Sequence, residues 1–368
     1  MDELCSAAPT VTAPAIQADL GLGVASLASM ALVLPVLLAL VVEPAAMWLA
    51  DGPWRRPLLI GSTLTWSASF AFAAQAESAW SLGVALLFAG PASGVTLGVA
   101  RIALLSRNSN PERVLTRWTL WASAGDLAGP LLIALLFSVG GSWRQGFLTF
   151  AGILAVYALL CSVVPLGRTA DEAQVSSPFW PTVRQASTDR PLLIWLLATS
   201  LCTLLDEIMI VLSTLRVSSL PGGSPGLASL GAAAFLAGTL LGLLVLERGW
   251  IPVRLPWACT VSLLGLLLVI LARDTNWTTV GLFVTGLGAG PQYPVALARA
   301  HARRPDRPGL VSALSALLTP LDLALPLLVG LWADRFGLGP ALALLAFQPL
   351  GILIVVFTID RKPRLEHR

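Results

Sequence analysis

Long apolar runs separated by short polar breaks are the dominant pattern along this 368-residue chain. Each run has about the ~20 residues that a helix needs to cross a bilayer, and the breaks are rich in Arg, Pro and Gly. Because lipid offers the backbone no hydrogen-bond partners and the runs are too long for barrel strands, the pattern predicts transmembrane helices throughout. The predicted spans, numbered one to twelve in chain order, are 1–18, 24–50, 57–76, 79–105, 118–139, 145–166, 191–216, 226–247, 254–272, 277–300, 310–333 and 339–359.

Composition agrees with a membrane protein and excludes an ordinary soluble domain. The chain is 56% apolar and 12% charged, with a mean hydropathy of +0.80. Its four cysteines stand singly among apolar residues, without the spacing of a metal site or a disulfide framework. We therefore expect no metal, no cofactor and no nucleic acid partner.

The basic residues give the predicted spans an orientation. Of the 23 Lys and Arg residues, 18 fall on the side that carries the termini and the central link, four fall on the opposite side, and Arg101 falls within a span. By the positive-inside rule, both termini are cytoplasmic in this multi-pass arrangement. The net charge of +3 is therefore a topology signal and needs no anionic partner.

An internal repeat organises the spans into two copies of one unit. The segment 126–132 (DLAGPLL) matches 322–328 (DLALPLL) at six of seven positions, at an offset of 196 residues that also places Asp51 on Glu247. The repeat predicts an all-α membrane fold of twelve transmembrane helices in two parallel six-helix repeats. The predicted halves are 1–166 and 191–360, with a cytoplasmic linker at 167–190 and a cytoplasmic tail at 361–368.

Twelve spans in a 6+6 repeat with a polar central link resemble the major facilitator superfamily of secondary transporters, over nearly the whole chain. The resemblance implies a transporter that works as a monomer in the plasma or inner membrane and carries a small molecule, often together with protons. In span five, Gly125, Gly129 and Pro130 are similar to the Gly-xxx-Gly-Pro motif of proton-coupled antiporters in that superfamily. Glycines four residues apart allow close helix packing, and the proline bends the helix.

The link after span two resembles the superfamily's Gly-xxx-Asp-Arg-x-Gly-Arg-Arg loop in degenerate form. Asp51, Arg55 and Arg56 match the motif, whereas Gly52 replaces its first arginine and Trp54 its second glycine. The resemblance implies that this loop is a charge latch that holds the inward-closed arrangement.

Carboxyl groups within the spans are the candidates for proton coupling. A carboxylate at mid-bilayer costs about 2.5 to 3.5 kcal/mol, and a proton bound there can be released when a cavity opens. The candidates are Glu43, Asp126, Asp206, Glu207 and Asp322, together with Asp2 and Glu3, which echo Asp206 and Glu207 at an offset of 204 residues. Each acid could instead make an interhelical hydrogen bond or pack in its protonated form, and the repeated Asp126 and Asp322 could fix matching helix bends.

The beginning of span one differs from its repeat mate. Asp206 lies about fifteen residues into span seven, whereas Asp2 has one residue before it. At 1.5 Å per residue, span one lacks roughly 20 Å of helix relative to span seven. We expect a start codon placed too far downstream, with a short first helix as the alternative.

Polar side chains within spans seven, four and ten are candidate substrate contacts. Thr199, Thr203, Asp206 and Ser213 follow helical spacing and predict one polar stripe on span seven. Arg101 in span four either snorkels to the cytoplasmic end or points inward to an acid or an anionic substrate group. In the superfamily the tenth helix lines the central cavity, so the resemblance adds Gln292 and Tyr293.

Three hypotheses on function follow. A proton-coupled transporter of a small organic solute is favoured, with export preferred on the span-five motif and proton-coupled uptake as its alternative. A sensor or scaffold that kept the fold and lost transport is the second hypothesis. A membrane enzyme is the third and the weakest, because both histidines fall in cytoplasmic segments and no Cys or Ser has an evident catalytic partner.

Overall fold

The computed structural model describes residues 2–22, 34–108, 110–164, 166, 179–221, 225–249 and 255–359. Within these ranges the chain is helical apart from short turns, as the apolar runs predict. The helices of the first sequence half are α1 (Asp2–Val11), α2 (Ala13–Leu20), α3 (Leu34–Leu49), α4 (Arg55–Ala73), α5 (Ala79–Arg107), α6 (Pro111–Ser138) and α7 (Trp143–Val163). They confirm spans one to six, with span two described from Leu34 onward.

The second half follows the same order after a short helix in the linker. The helices are α8 (Phe179–Ala186), α9 (Arg190–Leu201), α10 (Glu207–Ser218), α11 (Pro225–Arg248), α12 (Leu255–Leu271), α13 (Thr275–Ala289), α14 (Gln292–His301), α15 (Pro308–Ala316), α16 (Thr319–Phe336), α17 (Leu338–Leu344) and α18 (Phe347–Ile359). Helix α8 lies within the predicted polar linker, where the sequence analysis expected only a link. Its buried face is formed by Thr182, Val183 and Ala186, while Trp180 is exposed.

Predicted boundaries and observed boundaries differ most in span five. Helix α6 begins at Pro111, seven residues before the predicted start at 118. Hydropathy places the start too late because residues 111–117 (PERVLTR) are polar, although Pro111 fits the first turn of a helix and Glu112 favours its positive end.

Seven helices in the described part of the chain are long and apolar enough to cross a membrane. Two shorter apolar helices, Leu34–Leu49 and Leu255–Leu271, add to them. Three of the seven, Arg190–Ser218, Pro308–Phe336 and Leu338–Thr358, are each built from two helical segments.

Span one is divided between α1 and α2, and in the second sequence half spans seven, ten, eleven and twelve are interrupted, which hydropathy does not predict. In span seven a 3-10 helix at Cys202–Leu205 separates α9 from α10. In the other three spans the breaks fall between α13 and α14, between α15 and α16, and between α17 and α18. Proline stands at or within the first turn of the second segment in each of those three, at Pro291, Pro320 and Pro349.

Glycines allow backbone-to-backbone contact between the helices of the second half. A Cβ atom at Gly286 of α13 would lie 2.1 Å from the carbonyl oxygen of Phe235 in α11. A Cβ atom at Gly288 would lie 2.3 Å from the amide nitrogen of Ser262 in α12. Helix α13 is therefore packed against α11 on one side and α12 on the other, at a separation that no larger residue permits.

The chain divides into two compact units whose boundaries differ from the sequence halves. The first unit contains Met1–Asn110, Trp121–Gln185 and Arg304–Leu317. The second contains Pro111–Leu120, Ala186–Arg303 and Leu318–Arg368. Each unit thus includes a short segment of the other sequence half: the start of span five in the second unit, and the start of span eleven in the first.

Candidate functional site

The break in span seven places a carboxyl group in the middle of the membrane-spanning segment. Asp206 lies between the 3-10 helix and α10, with φ −105° and ψ −88°, outside the helical region of backbone conformation. Its side chain is exposed on the second unit. Because a carboxylate in contact with lipid is strongly unfavourable, this exposure favours a water-accessible surface.

Asp322 lies close to the same break. It occupies the first turn of α16, which contacts the 3-10 helix of span seven. The charges of Asp206 and Asp322 both act on the thiol of Cys202, which is buried at the start of the 3-10 helix. Each of the two acids is also at the amino end of a half-helix, where the helix dipole stabilises a negative charge.

The predicted polar stripe on span seven is crossed by the 3-10 helix, and its members differ in burial. Thr199 and Ser213 are buried, with 6% and 0% of their surface exposed, and they donate to the carbonyls of Leu196 and Ile210. Asp206 is exposed and Thr203 is half-buried. A 3-10 helix has three residues per turn instead of 3.6, so the break rotates the second segment relative to the first.

Gln292 and Tyr293, the candidates taken from the resemblance, begin α14. Gln292 is fully buried, and its amide donates to the Ser262 hydroxyl at 2.8 Å and to the Gly288 carbonyl at 3.0 Å. Tyr293 is half-buried. A role of either residue in substrate binding stays a prediction, and for Gln292 the observed partners are protein groups.

Asp51, the surviving aspartate of the loop motif, caps the amino end of α15. Its two carboxylate oxygens accept hydrogen bonds from the backbone N–H groups of Gly309 at 2.7 Å and Leu310 at 3.0 Å. The carboxyl is buried, and a Cβ atom at Gly309 would lie 2.3 Å from the carbonyl of Met47. An acid at the end of span two is therefore joined to the beginning of span eleven, 258 residues later in the chain.

The repeat mate of Asp51 makes an analogous contact by different chemistry. Glu247, at the end of span eight, accepts a hydrogen bond from Nε of Arg117 in α6 at 2.8 Å. Arg117 is 52% exposed, so this ion pair is in contact with solvent. The two contacts join spans two and eleven in one unit, and spans eight and five in the other.

Arg55 and Arg56, the other surviving residues of the motif, bind helix ends. Arg55 is buried and donates to the Ala50 carbonyl at 2.8 Å and to the Ser106 hydroxyl at 2.9 Å. Arg56 donates to two carbonyls, at 2.9 and 2.8 Å, near the end of α7. The pair thereby fixes the start of α4 against the ends of α5 and α7, and Arg56 satisfies carbonyls that the end of α7 leaves open.

Glu43, Asp126, Arg101 and the span-five motif belong to the first unit. Glu43 of α3 is half-buried against Gly94 of α5, where a Cβ atom would lie 1.7 Å from its Oε1. Asp126 is exposed on α6, and the same helix carries Gly125, Gly129 and Pro130. Arg101 is half-buried in α5, six residues before its end. The side chains of Asp2, Glu3 and Glu207 lie outside the described residues.

Within the described part of the chain, no group of three or more His, Cys, Asp or Glu side chains could hold a metal ion.

Comparison with known proteins adds a family and a fold. Residues 4–321 match the sequence profile of the Major Facilitator Superfamily. The fold is similar to that of the E. coli fucose:proton symporter FucP, with a TM-score of 0.78 at 13% identity over 97% of each chain. A structure of FucP described as outward gives a TM-score of 0.75 at 13% identity, over 97% of this chain and 96% of that one.

A human structure described as the organic anion transporter TETRAN gives a TM-score of 0.66 at 16% identity, over 95% of this chain and 88% of that one. No curated protein sequence matches the chain.

Proposed function

Because the chain belongs to the major facilitator superfamily, we propose that it is a proton-coupled secondary transporter that moves a small organic solute by alternating access. It is a multi-pass membrane protein of a transporter family, with the twelve-helix fold of that family. In this proposal both termini are cytoplasmic, the chain works as a monomer, and export is favoured over uptake.

The observation that best supports proton coupling is the exposed carboxyl of Asp206 at the interruption of span seven. Transporters place coupling ions at discontinuous helices near the bilayer midplane, because unwound backbone and half-helix ends supply charges there. Asp322 supplies a second carboxyl in the same surroundings. A carboxyl that exchanges between a dry and a water-filled environment can bind a proton in one and release it in the other.

Alternating access is supported by the two contacts of Asp51 and Glu247. The two acids occupy equivalent positions in the predicted repeat. Each contacts a helix that begins in the other sequence half. A contact between a side chain and a helix end can open and re-form, so the pair provides two separable latches.

The direction of transport in this proposal follows from the span-five motif. The glycine and proline residues of the span-five motif favour export by antiport. The similarity of the fold to a fucose:proton symporter keeps uptake by symport as the second candidate.

The test is a proteoliposome screen of candidate solutes against an imposed pH gradient. For the solute that is moved, we expect Asp206→Asn to abolish coupled flux and Asp126→Asn to reduce it. Asp306→Asn removes an exposed carboxyl from the loop before α15 and is the matched control, which we expect to transport normally. If neither variant within the spans changes solute flux or proton movement, proton coupling through these acids is wrong and a non-transporting scaffold gains support.

A further inference from the structure

A chain of buried amide groups joins the interruptions of spans seven, ten and twelve. Gln348, in the first turn of α18, accepts a hydrogen bond from the backbone N–H of Leu205 through its Oε1, at 2.7 Å. Its Nε2 donates to Oε1 of Gln292 at 3.0 Å. Gln292 stands at the start of α14, directly after the break in span ten.

This series of hydrogen bonds ends in span nine. Gln292 donates to the Ser262 hydroxyl, which in turn donates to the Cys259 carbonyl at 2.9 Å. Gln292, Ser262 and Gln348 have 0%, 0% and 1% of their surface exposed. Every bond in this set is therefore shielded from water, where a hydrogen bond is stronger and an unpaired group more costly.

The backbone groups at the two ends of this hydrogen-bond series fix the orientation of both glutamine amides. The N–H of Leu205 can only donate, so the oxygen of Gln348 must face it. The Gly288 carbonyl can only accept, so the nitrogen of Gln292 must face that carbonyl. The remaining oxygen of Gln292 and nitrogen of Gln348 then form the bond that joins them, without an alternative arrangement.

The break in span seven depends on this series of hydrogen bonds more than the breaks in spans ten and twelve do. Spans ten and twelve carry a proline at their interruptions, but residues 199–210 contain neither proline nor glycine. In an uninterrupted α-helix the Leu205 N–H would donate to the carbonyl of Leu201. Gln348 offers that N–H another acceptor, directly before Asp206.

We propose that Gln348 and Gln292 are positioning residues, which hold span seven open at residues 202–205 and thereby set the environment of the Asp206 carboxyl. This inference rests on the proposed function, in which Asp206 carries the proton. Neither glutamine touches the substrate in this account, and their effect on transport runs through the backbone of Leu205.

The first test is hydrogen exchange of the protein in lipid nanodiscs. In Gln348→Leu, we expect amides in peptides covering 202–208 to exchange about fivefold faster or more, the effect of losing one buried hydrogen bond. Gln75→Leu makes the same chemical change at an exposed glutamine of the first unit and should leave these peptides unchanged.

The second test follows protonation of Asp206 by infrared spectroscopy, with its carboxyl band identified by subtraction of the Asp206→Asn spectrum. Cys202 is within electrostatic reach of Asp206, Asp322 and Cys259, and Glu207 is adjacent to Asp206 in sequence. In Gln348→Leu and in Gln292→Leu, we expect the midpoint of the Asp206 band to move by about half a pH unit or more. Ile352→Ala, a fully buried residue of the same helix, should lower thermal stability without moving it.

The outcomes separate the two proposals. If the Asp206 band titrates in the unmodified protein and stays at the same midpoint in both glutamine variants, the positioning role is overturned and the proposed function survives. If no Asp206 band titrates between about pH 4 and pH 9, proton coupling at Asp206 fails and the positioning role fails with it. If Ile352→Ala moves the midpoint of the Asp206 band as far as Gln348→Leu does, the glutamines act only through packing and the positioning role is overturned.

Discussion

At the scale of single residues, Asp51 shows how burial and hydrogen bonding compete for one carboxyl group. Burial is the larger effect and raises the pKa of Asp51 to about 6, although the N–H groups of Gly309 and Leu310 and the nearby Arg55 and Arg307 oppose the rise. When the contact with α15 opens, the carboxyl returns to water and its pKa returns toward the ordinary value of 3.8. The closed contact therefore binds a proton more tightly than the open one does.

This difference predicts that the Asp51 contact tightens in acid. The stabilisation that protonation gives to the closed contact is fully present below about pH 4 and is lost as the pH rises through about 6. Its size is at most about 3 kcal/mol, at ~1.4 kcal/mol per pKa unit. The protection of the Gly309 and Leu310 amides against hydrogen exchange, corrected for intrinsic exchange at each pH, should increase as the pH falls across this window.

Asp51→Asn is the control for that measurement, since its amide does not titrate. Protection in the variant should be flat between about pH 4 and pH 6. An equally steep change in the variant would assign the pH dependence to another group.

Residue identities were only partly readable from the sequence. Asp206 and Asp51 could be singled out because a carboxyl in or beside an apolar run is costly and therefore conspicuous. Gln348 is a lone amide in the apolar run of span twelve, and its partner Leu205 lies 143 residues away. Sequence alone could mark Gln348 as unusual but could not supply the partner, because an amide pairs with any donor or acceptor.

At the scale of elements, hydropathy predicts where the chain crosses the bilayer but not where a span is interrupted. Pro291, Pro320 and Pro349 mark three of the four breaks in the second sequence half and could have been used to predict them. The break in span seven has no such residue and depends on a tertiary hydrogen bond. The predicted stripe of Thr199, Asp206 and Ser213 spans that break, so α-helical periodicity alone does not fix the relative orientation of its members.

Close packing of α13 against α11 gives a prediction at this scale. Gly286→Ala would place a Cβ atom 2.1 Å from a backbone carbonyl, so the helices must separate. We expect a loss of about 1–3 kcal/mol in the free energy of unfolding, as for other overpacked sites. Thermal unfolding in detergent measures it.

Gly61→Ala is the matched control, because no atom lies within 4 Å of the added Cβ position. Alanine also favours a helix over glycine by about 1 kcal/mol, so stability should be unchanged or slightly higher. Equal destabilisation by both substitutions would contradict the close contact at Gly286.

At the scale of the whole molecule, the repeat preserves positions while changing their chemistry. Asp126 and Asp322 are repeat mates, but α6 runs without interruption from Pro111 to Ser138, whereas span eleven breaks just before Asp322. Asp51 and Glu247 are repeat mates as well, yet one binds backbone N–H groups and the other binds a guanidinium. The two copies therefore share a fold without sharing a mechanism residue by residue.

This difference in chemistry predicts which contact tolerates exchange of its charges. Arg117→Glu and Glu247→Arg each bring like charges together, and each should lower the melting temperature at low ionic strength. The double reversal restores opposite charges and should recover most of the loss, and added salt should shrink all three differences, because the pair is exposed. No side-chain exchange can rescue Asp51→Arg, since the partners of Asp51 are backbone N–H groups. Recovery of Asp51→Arg by Arg307→Asp would show that a side chain, and not the helix end, is the effective partner of Asp51.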